Sequence, residues 1–157
     1  MPKVYKGDRP FVFVSYAHAD SDAVLPILDA LVDEGYRVWY DDGIEVGSSF
    51  PAFIADRVHD CSCLIALISS SSLASVWCKN EVSYALELGK SILPVYLEDV
   101  ELPRDLELQL GTVQALFWYT YDTDEAFNQK LFCVPMLRPC LTPEGARKRG
   151  VKSRGSL

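Results

Sequence analysis

Long apolar stretches are missing from this 157-residue chain: no run reaches the roughly 18 residues that a membrane-spanning helix needs. The charged segment Met1 to Pro10 is not followed by an apolar core of signal-peptide type, because Phe11 to Val14 is too short. The expectation is a protein that stays in the cytoplasm, with no membrane partner. Histidine is scarce, His18 and His59 being the whole supply. Cysteine is odd in number, and a framework of paired disulfides is therefore disfavoured. Cys61 and Cys63 form a CxC, but Cys78, Cys133 and Cys140 are scattered, so no second close pair completes a zinc site. Reduced, mostly buried thiols and no bound metal are expected.

Familiar catalytic and phosphate-binding signatures are also missing. There is no GxGxxG after the first apolar run and no GxxxxGK[ST], so neither a dinucleotide-redox fold nor a phosphate loop is supported. No GxSxG elbow occurs, and the serine run Ser69 to Ser72 has no evident histidine partner. What is present is ordinary for a globular chain: 49% hydrophobic and 24% charged residues, which excludes a disordered chain, a collagen or a coiled coil. The length suits one domain. Net charge is −7, yet residues 141–157 carry +4, leaving −11 on the body. An acidic body repels nucleic-acid phosphates, so no nucleic-acid partner is expected.

Short apolar runs alternate with helical patterns. Phe11 to Val14, Arg37 to Tyr40, Cys63 to Ile68, Ile92 to Leu97 and Val113 to Trp118 read as strands. Asp20 to Glu34 carries an apolar stripe closed by Gly35, although Pro26 predicts a late or irregular start. Helical patterns also cover Phe50 to His59, about Ser75 to Leu88, and Asp124 to Leu137. Pro94 places the fourth strand near an edge or a bulge. The alternation predicts an α/β fold: a flavodoxin-like, five-stranded parallel sheet of order 2-1-3-4-5 with helices on both faces. In that order the binding crevice lies at the carboxyl ends of strands one and three. Ser15 and Tyr16 stand at the first of these ends and Ser69 to Ser71 at the second, with the polar loop from Asp41 to Ser49 beside them.

One helix stands out. Trp77 and Glu81 are four residues apart and share a face of the helix that follows strand three. A carboxylate buried beside an indole is expensive unless it has a partner or a task. From the spacing alone, a surface or capping glutamate beside a core tryptophan is the favoured reading.

Four blocks, FVFVSYAHAD, YDDGIEVGSSF, ISSSSLASVWCKNE and ILPVYLEDVELP, taken in order, resemble a Toll/interleukin-1 receptor (TIR) domain, and most of all the bacterial kind. The resemblance covers about residues 9–135. It implies a TIR domain over 9–138 and leaves 139–157 as a basic tail or linker, expected to be disordered and, from Leu141 on, to make few core contacts. The family has an enzymatic branch that cleaves NAD+ at the nicotinamide–ribose bond and a scaffold branch that associates through the loop after strand two.

The resemblance implies the first for this chain, because Trp77-Cys78-Lys79-Asn80-Glu81 fits the enzymes' pattern of a glutamate four residues past a tryptophan. It makes Glu81 the catalytic carboxylate of an NAD+ glycohydrolase or ADP-ribosyl cyclase, with Trp77 divided between substrate wall and helix packing. NAD+ is then substrate, and no cofactor is expected. Ser15, Tyr16, Asp41, Gly43, Ile44, Gly47 and Trp77 are the candidate substrate-binding residues. Self-association through loop 41–51, with Ile44 as an exposed apolar contact, is implied too, as are a downstream effector and a role in defence against phage. The competing expectation is a non-catalytic interaction module, either a signalling scaffold or a mimic of host TIR partners.

Overall fold

Apolar residues on both faces of the central strands force helices onto both sides of the sheet. The structure, a computed structural model, describes residues 2–41 and 52–149. Its strands are β1 (Val12–Ser15), β2 (Val38–Tyr40), β3 (Cys63–Ile68), β4 (Ser91–Tyr96) and β5 (Leu116–Phe117). They form one sheet of order β2-β1-β3-β4-β5, every neighbouring pair parallel. The helices are α1 (Ser21–Glu34), α2 (Ala52–Asp60), α3 (Ser70–Ala74), α4 (Val76–Glu87), α5 (Arg104–Leu110), α6 (Asp124–Leu131) and α7 (Pro143–Lys148). This is the flavodoxin-like α/β order expected from the sequence. No helix among the described residues is long and apolar enough to cross a membrane.

Strand alternation divides the core in two. Val12, Val14, Ile65, Leu67, Leu93 and Val95 pack with α1 and α6. Phe13, Leu64, Ala66, Ile68 and Ile92 face the other way, against α2, α4 and α5. Four of the five cysteines are buried thiols, Cys133 alone being exposed.

Several elements differ from expectation. Pro26 sits inside α1, which starts at Ser21 and runs without a late start. The proline and Asp22, whose carbonyl loses its usual partner, are both on the exposed face, where the unpaired carbonyl is open to solvent. Pro94 lies within β4 opposite Ala66, and β5 pairs only with Val95 and Tyr96. The proline thus sits where β4 has a single partner strand, which is the edge-like condition it needs. Strand five shrinks to two residues, and the last helical pattern breaks after Leu131, with a 3-10 segment over Pro135–Cys140. Helix α5 had no counterpart among the elements expected from the sequence.

The basic tail requires correction. Residues 139–149 belong to the fold. Cys140 and Leu141 are buried, and Leu141 bridges to Tyr36. The buried Arg37 holds this segment through its backbone N–H, donated to the Cys140 carbonyl at 2.8 Å. Thr142 caps α7 and donates its N–H to the Gly35 carbonyl at 2.8 Å. Arg149 pairs with Glu34 at 2.6 Å and lies over the Phe132 ring. Residues 150–157 lie outside the described residues.

Two glycines make this docking possible. Gly35 ends α1 at φ +105°, and a Cβ there would stand 2.4 Å from the Gly145 Cα. Both the conformation and the close crossing exclude a side chain. Gly35→Ala is expected to cost at least ~1–2 kcal/mol, read as a lower urea midpoint. An unchanged midpoint would contradict the crossing.

Candidate functional site

The crevice is built where β1 and β3 end side by side, Ser15 pairing with Ala66. Helix α4 packs over this end of the sheet. It begins at Ser75, whose side chain accepts from the Cys78 N–H, and buries the stripe Cys78, Glu81, Val82 and Ala85. The spacing of that stripe puts Glu81 inside, only 5% exposed, while Lys79, Asn80 and Glu87 face out.

Glu81 is not alone there. The Ser15 hydroxyl, itself 2% exposed, donates to Glu81 Oε1 at 2.6 Å. Burial nonetheless pushes the Glu81 carboxyl up to about 8 from an ordinary 4.5, with the Ser15 hydrogen bond pulling it back and the Asp41 charge adding to the rise. Burial therefore favours the neutral acid in the absence of a nearby cation. Cys78, on the preceding turn, is pushed up to about 11 by burial, an effect the Ser75 and Ser15 hydroxyls oppose.

This has a consequence for stability. An unfolded chain ionises Glu81 near 4.5, whereas the folded chain holds the proton to about 8. Between those values the folded state binds more protons, so stability falls as pH rises, by up to about 1.4 kcal/mol per pH unit. Glu81→Gln keeps an acceptor for Ser15 and has no charge to bury. It is expected to unfold at a higher temperature than the parent at pH 8–9 and to lose the advantage towards pH 5. Parallel melting curves across that range would contradict the burial of a titrating acid.

Three further candidates fall on described positions. Tyr16, 8% exposed, is a core residue that packs on His18 and Tyr40, with ring centroids 5.7 and 6.4 Å away. Asp41 follows β2, is half-buried, and its carbonyl lies 3.3 Å from His18 Nε2. Trp77 is half-buried at the margin of the buried stripe and packs against the α2/α4 core. The structure thus brings Glu81, Ser15 and Asp41 together and gives Tyr16 and Trp77 packing contacts. Gly43, Ile44 and Gly47 lie outside the described residues.

Two polar pairs were not foreseen from the sequence. Ser69 Oγ donates to Asp20 Oδ2 at 2.5 Å and also caps α3. Glu98, just past β4, accepts from the Ser70 N–H and hydroxyl at 3.2 Å. Asp20, Ser69 and Glu98 all come after carboxyl ends of strands, which was the available signal. The four serines therefore form more than a turn. Among the described residues no group of three or more His, Cys, Asp or Glu side chains is placed to hold a metal ion.

The arrangement suits a developing positive charge. A buried carboxyl with an acidic neighbour, Asp41, sits at the strand ends, where a cation would favour its ionisation.

Comparison with known proteins agrees with the fold. The chain is 25% identical over 114 residues to a protein of Brachypodium distachyon described as a probable 2′ cyclic ADP-D-ribose synthase. The match takes in 61% of this chain and 51% of the relative, so the chain spans about half the length of that curated relative. The TIR domain of a Toll-related receptor from Hydra magnipapillata superposes with a TM-score of 0.63 at 21% identity, covering 77% of this chain and 94% of that one. A CMP N-glycosidase of Clostridium botulinum superposes with a TM-score of 0.55 at 19% identity, covering 77% and 97%. The family model for the TIR domain matches residues 12–132, from the first residue of β1 to just past α6. The chain belongs to the TIR domain family.

Proposed function

We propose that this domain cleaves NAD+ at the nicotinamide–ribose bond, with Glu81 as the carboxylate that faces the ribose. The observation that carries the reading is the burial of Glu81 at the carboxyl ends of β1 and β3, in hydrogen-bond contact with Ser15. The name of the plant relative, a probable cyclic ADP-ribose synthase, supports the same substrate.

The chemistry asks little of the protein. Nicotinamide in NAD+ is already a cationic leaving group. When the bond from C1′ to the ring nitrogen breaks, the electron pair leaves with neutral nicotinamide, and no general acid is required. The positive charge moves to the ribose as an oxocarbenium-like centre. One carboxylate placed against it lowers the barrier, as one member of a glycosidase pair does. Water as acceptor gives ADP-ribose and a proton. A nucleophile on the same molecule gives a cyclic ADP-ribose, and another small molecule gives a conjugate. NAD+ is substrate here, and the reaction needs no resident cofactor.

Asp41 and Trp77 are proposed to border the substrate, as are Tyr16 and the loop residues Gly43, Ile44 and Gly47. Loop 41–51 is the proposed self-association element, through which one copy contacts the next. The setting we propose is the bacterial cytoplasm, where NAD+ loss or a nucleotide signal passed to an effector serves defence against phage.

The test is direct. The concentrated protein is incubated with NAD+, with and without a crowding agent, and free nicotinamide is followed by chromatography. Nicotinamide release whose specific rate rises with protein concentration is expected. No release under any of these conditions would favour a non-catalytic interaction module.

A further inference from the structure

Ser15 is the last residue of β1, fixed by its pairing with Ala66 of β3 and buried beneath α4. A hydroxyl has one proton to give. Here it goes to Glu81 Oε1, at 2.6 Å. Ser15 Oγ is then left with lone pairs, on the side where the Cys78 thiol meets the hydroxyls of Ser15 and Ser75. The strand holds Ser15, and Ser15 holds one of the two carboxyl oxygens. The direction of the bond also matters, because a donor to a carboxyl binds the ionised form more strongly than the neutral one.

We propose that Ser15 is a positioning residue that fixes Oε1 of Glu81, leaves Oε2 as the oxygen turned to the substrate, and sustains the ionised form when a cationic substrate arrives. The proposal rests on the reading of Glu81 as the carboxylate that faces NAD+. It differs from a role in which Ser15 donates to substrate, since its only proton is already committed. The groups around Glu81 set the balance. Asp41, after β2, opposes ionisation. Cys78 on α4 and Ala66 on β3 bring no charge, Asp20 ahead of α1 acts on Cys78, and His18 meets the Asp41 carbonyl. Among the described residues Ser15 is the group that works in the opposite direction.

Ser15→Ala and Ser15→Thr are compared with the parent in two measurements. The first is a carbon-13 NMR titration of the side-chain carboxyls, Glu81 being identified by the signal that Glu81→Gln removes. Ser15→Ala is expected to raise the Glu81 midpoint by about one unit or more, and Ser15→Thr to restore it. An unmoved midpoint overturns the proposal. If Ser15→Ala does not fold, Ser15→Cys keeps the size with a weaker donor, and its midpoint must still move upward. The second measurement is nicotinamide release against pH. Ser15→Ala is expected to lower kcat about tenfold with KM little changed, and to displace the profile to alkaline pH. An unchanged kcat and profile overturn the positioning role even if the midpoint moves. A parent with no turnover counts against the NAD+ reading and therefore against the positioning role that rests on it, while the titration still decides whether Ser15 controls Glu81.

Discussion

Glu81→Gln is expected to lower nicotinamide release from NAD+ by at least ~100-fold, about 2.7 kcal/mol of transition-state stabilisation. The substitution keeps the length of the side chain and an oxygen that accepts from Ser15, and it removes the capacity to ionise. Substrate binding should change much less, because the ground state of NAD+ gains little from a carboxylate that matters most once charge reaches the ribose. The loss should therefore appear in kcat. Glu87 is the control: it lies on the same helix but is exposed, and Glu87→Gln should keep full activity. Glu87→Gln removes an exposed charge from the same helix, so its full activity would separate a local role of Glu81 from a general electrostatic one. Full turnover by Glu81→Gln would end the assignment.

Deletion of residues 141–157 is expected to lower the melting temperature by about 10 °C. Removing Leu141 alone forfeits roughly 1.5–3 kcal/mol of burial. The deletion also removes the cap and body of α7, the backbone bond from Thr142 to Gly35 and the Arg149–Glu34 pair, and it uncovers part of the core around Tyr36. For a domain of this size each kcal/mol shifts the melting point by a few degrees. Deletion of 150–157 alone leaves α7 and its contacts intact and serves as the control. If the longer deletion melts with the parent, α7 contributes nothing to stability.

That segment shows where the sequence was hard to read. Its signal is Cys140, Leu141 and Gly145, three small or apolar residues among five basic ones, and only the crossing with Gly35 gives them meaning. Charge told of solvation, while the close crossing is made by glycines and one of the basic residues, Arg149, is itself part of the contact. Helix α5 was hidden for a related reason. Leu106, Leu108 and Leu110 alternate, yet Leu108 is 84% exposed and only Leu110 is fully buried, so no helical stripe stands out. By contrast β3 is buried on both faces along its whole length, and its limits, Cys63–Ile68, are those of the apolar run itself. The strand order came from the alternation of elements, and with it the place of the crevice. The resemblance singled out Glu81. The partner of Glu81 was not legible, because Ser15 lies 66 residues away and meets it only through the register of β1 on β3 and the packing of α4.

The edges of the sheet limit how copies of this domain can meet. An open edge strand is a template on which a foreign strand can grow. Here β5 offers two residues, and the Phe117 ring stacks on Tyr96 with centroids 5.0 Å apart. At the far edge, the Tyr5 N–H already donates to the Val38 carbonyl of β2, and the Tyr40 hydroxyl donates to the Pro2 carbonyl. One border is too short to seed an added strand and the other is occupied by the chain's own first residues. Strand addition between copies is disfavoured at both borders, which keeps the sheet from spreading into a cross-β fibre.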